Sequence, residues 1–351
     1  MFTRTPLRAV AVSASTINQC VRNFQAKVVV PKAHYNVVFD IDGVLIKISP
    51  KQLVLSHSPM RSLVSKYEDK NVLVVGGNGS DCRNVAEHYG FKHIVTPEEV
   101  HAAYPSVCPS SANEARSVPL AEKYLQNVQR PVDAIMVLHD SVDWGRDLQV
   151  MLDALISRDG YLNTVKNQSE LHTTKQSVPL YFSNSDLVWS NEYPSPRFAQ
   201  GTFRTCLERI YKCNAVLFIC VLISLSRHGW TYRQKDMTGQ KLEYTLFGKP
   251  MTPTYQFADT VLNNIAPIHC GPNNVPKPRT VYAIGDNPYA DIAGANAYGW
   301  QSVLVRTGVF TPNGEENHHI HPATAVVDHV EDAVRWIISK EMWKEHPFRS
   351  I

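Results

Sequence analysis

Two aspartates separated by one residue follow a short apolar run near the beginning of the chain. Residues 37–39 (VVF) are typical of a buried parallel strand, and Asp40 and Asp42 come at its carboxyl end. Gly43 then allows a sharp turn. Carboxylates at the end of a buried strand cost free energy unless a metal or a reaction uses them. A loop with two solvated aspartates is the alternative interpretation of this pair taken alone.

Further charged residues that could serve the same chemistry lie far along the chain. Lys249 occurs in the sequence FGKP, and its cation would reduce the repulsion between a carboxylate and an incoming phosphate. Asp286 and Asp291 occur in the sequence GDNPYAD, directly after a predicted strand at 280–284. Because Mg²⁺ prefers oxygen ligands and keeps several waters, a few carboxylates at strand ends are enough to bind it.

The three motifs together resemble those of the haloacid dehalogenase-like phosphohydrolases. The match consists of D-x-D-G-V at Asp40, Lys-Pro at Lys249 and G-D-x-x-x-x-D at Asp286, each in its expected local context. The resemblance implies that Asp40 is a nucleophile that forms an aspartyl-phosphate and that Asp42 is the general acid and base. It implies that Lys249 balances the charge of the phosphate. It also implies a Mg²⁺ site formed by Asp40, Asp42, Asp286 and Asp291, in which Asp291 is a direct ligand or the partner of one.

The elements that must position these residues alternate between strands and helices. Apolar runs predict strands at 72–75, 133–138, 180–182, 280–284 and 301–305. Amphipathic segments predict helices, among them one that begins after Asp143 and one at 201–212. The predicted fold class is α/β, with a doubly wound, Rossmann-like parallel sheet as the core.

Longer sequence motifs extend the resemblance over most of residues 34–340. SHSPM at 56–60, DWGRDLQ at 143–149 and FSNSDLVW at 182–189 resemble the class IIA branch, in the subgroup typified by the cat eye syndrome critical region protein five. In class IIA an α/β cap domain is inserted into the core. The resemblance implies core at 34–51, cap at 52–199 and core again at 200–340, and these segments lie between a mitochondrial transit peptide predicted at 1–33 and a tail at 341–351.

Two departures from the family pattern affect the expected activity. The family has a helix, a strand and a Thr-Asn-Gly-Gly-like second motif after D-x-D-G-V, whereas this chain has only residues 46–55 in that interval. One core strand, its crossover helix and a hydroxyl that would bond the phosphoryl group are therefore predicted to be missing. Ser80 could supply the hydroxyl in place of the second motif, but the sequence around the preceding strand at 72–75 matches the cap domain of the family. Residues 213–236 are an extra tract, apolar at 213–225 and polar and basic at 227–236, that is either a lineage-specific insert or foreign sequence.

Composition limits the partners and the compartment. The net charge is +3, but residues 1–39 contain five basic and no acidic residues, so the remainder is close to neutral and gives no reason to expect nucleic acid. The acid-free start with its Arg and Ser residues predicts import into mitochondria, in the matrix, although a disordered basic tail is the alternative. The apolar run at 213–225 is too short for a membrane span of about 20 residues.

The sequence supports competing functions. The first is Mg²⁺-dependent hydrolysis of a small phosphorylated metabolite, with Asp140, Asn184 and Asp186 in cap loops as candidate substrate contacts. The second is a non-catalytic binding or scaffold protein of the same fold, because the second motif is missing. A phospho-acceptor switch domain also uses strand-end aspartates and a lysine, but the Lys-Pro motif and the cap argue against it. Homodimerisation is left open.

Overall fold

The computed structural model describes residues 8–13, 35–40, 53–78, 80–109, 117–189, 193, 195, 197–224, 240–270, 280–310 and 316–345. Asp42, the interval that follows it up to residue 52, and residues 225–236 of the extra tract therefore lie outside the described residues. Contacts along the chain divide it into two compact units. Unit 1 consists of Met1–Pro59 and Phe247–Ile351, and unit 2 consists of Met60–Leu246.

Strands and helices alternate through most of the chain. In chain order the strands are β1 Arg8–Ser13, β2 Tyr35–Asp40, β3 Leu53–Leu55, β4 Asn71–Gly77, β5 His93–Val95, β6 Ala134–Ser141, β7 Leu180–Phe182, β8 Val188–Trp189, β9 Arg197–Phe198, β10 Thr245–Leu246, β11 Thr280–Gly285, β12 Gln301–Val305 and β13 Ala325–Val327. The α-helices are α1 Val64–Tyr67, α2 Asp81–Tyr89, α3 Pro97–Ala103, α4 Ser117–Val128, α5 Trp144–Ile156, α6 Gln168–Thr173, α7 Gln200–Ser224, α8 Thr252–Cys270, α9 Ala293–Tyr298 and α10 Val330–Glu345. Short 3₁₀ helices lie at Ser58–Leu63 and Pro105–Val107, and a π-helical turn lies at Pro288–Ile292.

The sheet of unit 1 has the strand order β13-β12-β11-β2-β1-β3. The neighbours from β13 to β2 are parallel, whereas β1 is antiparallel to both β2 and β3. Apolar side chains cover both faces, because Val37 and Tyr282 pack in a core with α10 while Val38 and Ala283 pack in a core with α8. Burial on both faces explains why the strand sequences are continuous apolar runs. The predicted doubly wound α/β core is confirmed.

Strand β1 lies beside β2, in the place where the sequence predicts that a core strand is missing. Its residues belong to the segment 1–33 that was expected to be a transit peptide, and they pair with β2 from Ala9 opposite Asp40 to Ser13 opposite Asn36. Among the described residues, no strand runs parallel to β2 on this side. An antiparallel strand in this position gives the backbone groups of β2 partners that an open sheet edge would lack.

The sheet of unit 2 is parallel throughout, with the strand order β10-β7-β6-β4-β5. When these five strands are numbered along the chain and read from β5, the order is 2-1-3-4-5, as in a doubly wound fold. In that fold the strand order reverses between β4 and β6. One face of the sheet is covered by α5 and α7, whose Met151, Leu155, Phe203 and Leu207 are buried against Val137. The strand at 72–75 therefore belongs to this unit.

Residues 200–212 and 240–246 pack with unit 2, whereas the expected cap ends at residue 199. Helix α7 buries Phe203, Leu207 and Tyr211 in the core of unit 2, and β10 pairs with β7. The two compact units divide at residues 60 and 247, and the cap expected at 52–199 stays a prediction. Helix α7 continues to Ser224 and includes most of the apolar run at 213–225. None of the described helices is long and apolar enough to cross a membrane.

Candidate active site

The carboxyl ends of β2 and β11 lie side by side in unit 1. The two strands are parallel neighbours, with Ile284 opposite Phe39, so the next residues along each strand are Gly285 and Asp40. Asp286 follows directly, at the end of β11. The backbone therefore brings the predicted nucleophile position and the first acidic residue of GDNPYAD to the same edge of the sheet. Nothing is described of the Asp40 side chain, and Asp42 lies outside the described residues.

Asp286 is held by the chain segment that follows β12. The backbone N–H of Val309 donates a hydrogen bond to Oδ2 of Asp286 at 2.6 Å. The N–H of Phe310 donates to the backbone oxygen of Asp286 at 3.0 Å. Both the main chain and the carboxylate of this residue are thus fixed by one short loop.

Lys249 and Asp291 form a buried ion pair. The distance from Lys249 Nζ to Asp291 Oδ1 is 2.5 Å, and the side chains are only 9% and 6% exposed. The second oxygen of Asp291, Oδ2, accepts a hydrogen bond from the backbone N–H of Asn287 at 3.0 Å. Because both oxygens are engaged, this arrangement favours the interpretation of Asp291 as the partner that orients Lys249 rather than as a direct metal ligand.

Small residues in GDNPYADIAGAN make room for this pair. A Cβ atom at Gly285 would lie 2.3 Å from Cγ of Asp291, so only glycine allows the carboxylate to pass this close to the end of β11. A Cβ at Gly294 would lie 2.1 Å from the hydroxyl oxygen of Tyr255. That hydroxyl lies 3.2 Å and 3.3 Å from the backbone oxygens of Ala290 and Asp291, to which it donates. Tyr255 therefore secures the π-helical turn that carries Asp291, a kind of turn often found at functional sites.

Polar residues also gather at the carboxyl edge of the sheet in unit 2. Gln200, which is 1% exposed, links the end of β7 to the start of α7. Its Nε2 donates to Ser183 Oγ at 3.1 Å, and its Oε1 accepts from the backbone N–H of Asn184 at 2.8 Å. Asn184 in turn accepts a hydrogen bond at Oδ1 from the N–H of Asp186 at 3.0 Å. Two of the three predicted substrate contacts thus share one turn.

Asp140, the third predicted contact, lies at the end of β6 in the same unit. Its Oδ1 is buried and has no hydrogen-bond partner among the described residues. Burial raises the pKa of this carboxyl group, while the nearby His139 and the backbone N–H of Gln200 act in the opposite direction. A buried carboxylate oxygen without a donor is costly, so the site favours a ligand or a water that can donate a hydrogen bond.

The sequence DWGRDLQ at 143–149 forms the start of α5, beside the carboxyl edge of the sheet in unit 2. Asp143 caps the helix by accepting a hydrogen bond at Oδ1 from the backbone N–H of Arg146 at 3.1 Å, as the sequence predicted. Asp147 is buried and accepts from Arg146 Nε at 2.9 Å and from Ser141 Oγ at 2.7 Å. Burial raises the pKa of Asp147, and Arg146 and Ser141 oppose this rise. These contacts join the end of β6 to the helix that follows it.

Comparisons with known proteins identify the family of the chain. The family model described as HAD-hydrolase-like matches residues 246–333, which include the Lys249, Asp286 and Asp291 motifs. A Saccharomyces cerevisiae protein named as a mitochondrial hydrolase is 33% identical over 311 residues, which cover 84% of this chain and 79% of that protein. The chain belongs to the haloacid dehalogenase-like hydrolase family.

Two further similarities concern proteins of other lengths and lower identity. A Schizosaccharomyces pombe protein, named as a fusion of cardiolipin synthase (CMP-forming) and mitochondrial hydrolase, is 35% identical over 298 residues. The match covers 85% of this haloacid dehalogenase-like chain but only 44% of the fusion protein, so the chain spans less than half of that relative. A solved structure of a hypothetical protein from Pyrococcus horikoshii is 16% identical, with a TM-score of 0.47, over 83% of this chain and 77% of that one.

The haloacid dehalogenase-like motifs locate some site residues and leave others unnoticed. Unit 1 brings Lys249 into contact with Asp291 and places Asp286 next to the end of β2, whereas Asp140, Asn184 and Asp186 lie together at one edge of unit 2. Sequence reasoning did not single out Gln200, Tyr255 or the loop at 308–310. The sequence LVRTGV at 304–309 also resembles the class IIA branch and overlaps that loop, but the role of the loop depends on a backbone N–H, which no residue type reveals.

Proposed function

We propose that this chain is a Mg²⁺-dependent phosphohydrolase that cleaves a small phosphate ester through an aspartyl-phosphate on Asp40. The observation that carries the proposal is the adjacency of the β2 and β11 ends, which puts the Asp40 position beside Asp286 at one edge of the sheet. The buried Lys249–Asp291 pair supports it, because a lysine held in a water-poor site can offset the charge of a phosphate.

The proposed reaction has two displacements at phosphorus. The Asp40 carboxylate attacks the phosphorus atom, the bond to the leaving oxygen breaks, and Asp42 gives that oxygen its proton. Asp42, now a carboxylate, then removes a proton from water, whose oxygen attacks the phosphorus of the aspartyl-phosphate. Inorganic phosphate leaves, and both aspartates return to their starting protonation states. Lys249 stabilises negative charge on the phosphoryl oxygens in both steps.

The described residues fit part of a Mg²⁺ site. Asp286 presents a carboxylate at a strand end, the oxygen ligand that Mg²⁺ takes in proteins, and its orientation is fixed by Val309. Among the residues whose side chains are described, no three His, Cys, Asp or Glu side chains cluster. We therefore assign the remaining protein ligands to Asp40 and the backbone carbonyl of Asp42, with Asp291 as the partner of Lys249. When bound, Mg²⁺ would neutralise phosphate charge and lower the barrier to attack by an anion.

The test uses purified full-length protein and 4-nitrophenyl phosphate. We expect hydrolysis that requires Mg²⁺ and stops when the metal is chelated. Asp40→Asn should reduce turnover below detection, because an amide cannot act as the nucleophile. Asp328→Asn is the matched control, since it makes the same change at an exposed carboxylate of unit 1. Circular dichroism checks that both variants fold, and turnover retained by folded Asp40→Asn protein would contradict the assignment.

A non-catalytic binding protein is the second candidate. It is favoured by the antiparallel β1 beside β2, because no described residues supply the parallel strand that would carry the second catalytic motif. The same assay separates the two candidates. Binding of a phosphate ester by wild-type protein without any Mg²⁺-dependent turnover would support the second and contradict the first.

We propose that Asp140, Asn184 and Asp186 contact the organic part of the substrate. The buried Oδ1 of Asp140, for which the described residues supply no donor, supports a substrate that donates a hydrogen bond there. Asp140→Asn should raise KM for esters that carry a hydroxyl or ammonium group more than it raises KM for 4-nitrophenyl phosphate. Equal changes for both kinds of ester would argue that Asp140 only supports the turn at Gln200.

We further propose that the protein acts in mitochondria, in the matrix. The support is the acid-free composition of residues 1–39, together with the names of the two yeast relatives. Import into isolated mitochondria should yield a product shortened by about 30 residues. That cleavage would also remove β1 from the sheet of unit 1. A full-length product that stays outside the organelle would contradict the proposal.

The sequence leaves open whether the protein is a monomer or a homodimer. Light scattering on the purified protein will decide between the two.

A further inference from the structure

The loop that follows β12 closes over Asp286 through its backbone. The side chain of Val309 is 62% exposed, so the contribution of this residue is its N–H, which donates to Asp286 Oδ2 at 2.6 Å. Phe310 is only 7% exposed and packs in a small core with Ile292 and Leu304. This packing anchors one end of the loop. The N–H of Val309 is therefore held at a fixed place above the carboxylate.

Gly308 is the residue that lets the loop pass this close to Asp286. A Cβ atom at position 308 would lie 1.8 Å from Oδ2, 2.6 Å from Cγ and 2.9 Å from Cβ of Asp286, and these are its three nearest atoms. Gly308 is not among the glycines with positive φ. Its backbone conformation is therefore open to other residues, and the requirement for glycine is one of space alone.

We propose that Gly308 and Val309 are positioning residues that orient the Asp286 carboxylate toward Mg²⁺. The proposal rests on the proposed function, in which Asp286 is a metal ligand. A hydrogen bond to Oδ2 fixes the rotation of the carboxylate about its Cβ–Cγ bond, and this rotation sets the direction of the other oxygen. Partners that orient a metal ligand typically affect metal affinity by about 10–100-fold when they are changed.

A Gly308→Ala variant of the full-length protein tests this directly. The added methyl group must push the carboxylate away from the Val309 N–H. We expect the dissociation constant for Mn²⁺, measured by electron paramagnetic resonance without substrate, to rise by about 10–100-fold. The Mg²⁺ concentration for half-maximal hydrolysis should rise by a similar factor. The matched control is Gly145→Ala in unit 2, where the nearest atom to an added Cβ is 3.7 Å away; this change should leave Mn²⁺ affinity unaltered.

Thermal melts in metal-free buffer supply a second measurement, which remains decisive if Gly308→Ala alone fails to fold. Asp286→Gly removes all three atoms that the new methyl group would meet. Adding Gly308→Ala to Asp286→Gly should therefore lower the melting temperature much less than adding it to the wild type. Equal losses in both backgrounds would show that the methyl group collides with something else, and would overturn the proposal.

The outcomes separate this inference from the proposed function. If the wild type neither binds Mn²⁺ nor hydrolyses the ester with Mg²⁺, the proposed function fails and this inference fails with it. If the wild type does both and folded Gly308→Ala protein binds Mn²⁺ as tightly as the wild type, only this inference is wrong. Weakened Mn²⁺ binding, together with activity that recovers as Mg²⁺ is raised, supports both.

Discussion

Replacing Asp291 with asparagine should destabilise unit 1 far more than the same change at an exposed position. The substitution removes the carboxylate that pairs with Lys249, in a site where both side chains are less than 10% exposed (9% and 6%). Breaking a buried pair by removing one partner costs about 3–5 kcal/mol, because the remaining charge stays in a poorly solvated place. The amide can still accept the hydrogen bond from Asn287, so the loss concerns the charge.

The matched control is Asp328→Asn. Asp328 pairs with Arg306 at 2.7 Å, but its side chain is 69% exposed. Exposed pairs contribute about 0.2–1 kcal/mol. For a unit of this size, a change of 1 kcal/mol shifts the melting temperature by about 2–4 °C. By the same scale, we expect a drop of about 6–20 °C for Asp291→Asn and of less than about 4 °C for the control.

The assay is differential scanning calorimetry at pH 7 in the presence of a chelator, so that no metal contributes to the result. A double variant, Lys249→Met with Asp291→Asn, should recover part of the loss, because it leaves no unpaired charge. If Asp291→Asn and Asp328→Asn lower the melting temperature equally, or if the double variant is worse than the sum of its parts, the buried-pair reasoning is refuted.

Three further predictions follow from other parts of the chain. Burial raises the pKa of Asp153 to about 6, so folding disfavours its ionised form. Asp153→Asn should therefore stabilise the protein by about 1–2 kcal/mol at pH 7. In urea unfolding curves this gain should fade as the pH falls from about 6 to 4. Tyr255→Phe removes the donor to two backbone oxygens of the π-helical turn and should cost about 1–3 kcal/mol in the same assay, whereas Tyr161→Phe at an exposed site should cost little. This chain should be a weak enzyme, because losing one hydrogen-bond donor to the phosphate typically lowers the rate by about 10²–10³-fold. A variant that has the missing helix, strand and Thr-Asn-Gly-Gly segment inserted after Leu45, and that lacks residues 213–236, should melt at a higher temperature and hydrolyse 4-nitrophenyl phosphate faster. Equal melting temperatures and rates for the two forms would contradict this prediction.

The fold could be predicted wherever a local pattern determines the structure. The apolar runs at 180–182 and 301–305 coincide with strands β7 and β12, and Asp143 caps α5 as its residue type indicates. The unit boundary was harder to predict. Whether residues 200–212 pack with one unit or the other depends on which sheet Phe203 and Leu207 meet, and the period of a helix shows only that it has an apolar face.

Some residues of the candidate site could be predicted from their residue types, and others could not. Lys249, Asp286 and Asp291 were singled out because each stands in a recognisable sequence motif, Lys-Pro or G-D-x-x-x-x-D. The loop at 308–310, Tyr255 and Gln200 were missed because they act through a backbone N–H, a hydroxyl or a buried amide. The contribution of such groups depends on distances that arise only when the chain is folded. Strand β1 was also unexpected, since residues 8–13 carry an import-like composition that competes with their apolar pattern.

The most direct test of the proposed chemistry is to trap the phosphorylated enzyme. Wild-type protein mixed with a ³²P-labelled phosphate ester and Mg²⁺, then quenched in acid within milliseconds to seconds, should retain label that hydroxylamine removes, as expected for an acyl phosphate. Peptide mapping should place that label on Asp40, and Asp40→Asn protein should retain none. Turnover by the wild type without any trapped label, or label on a residue other than Asp40, would contradict the aspartyl-phosphate mechanism.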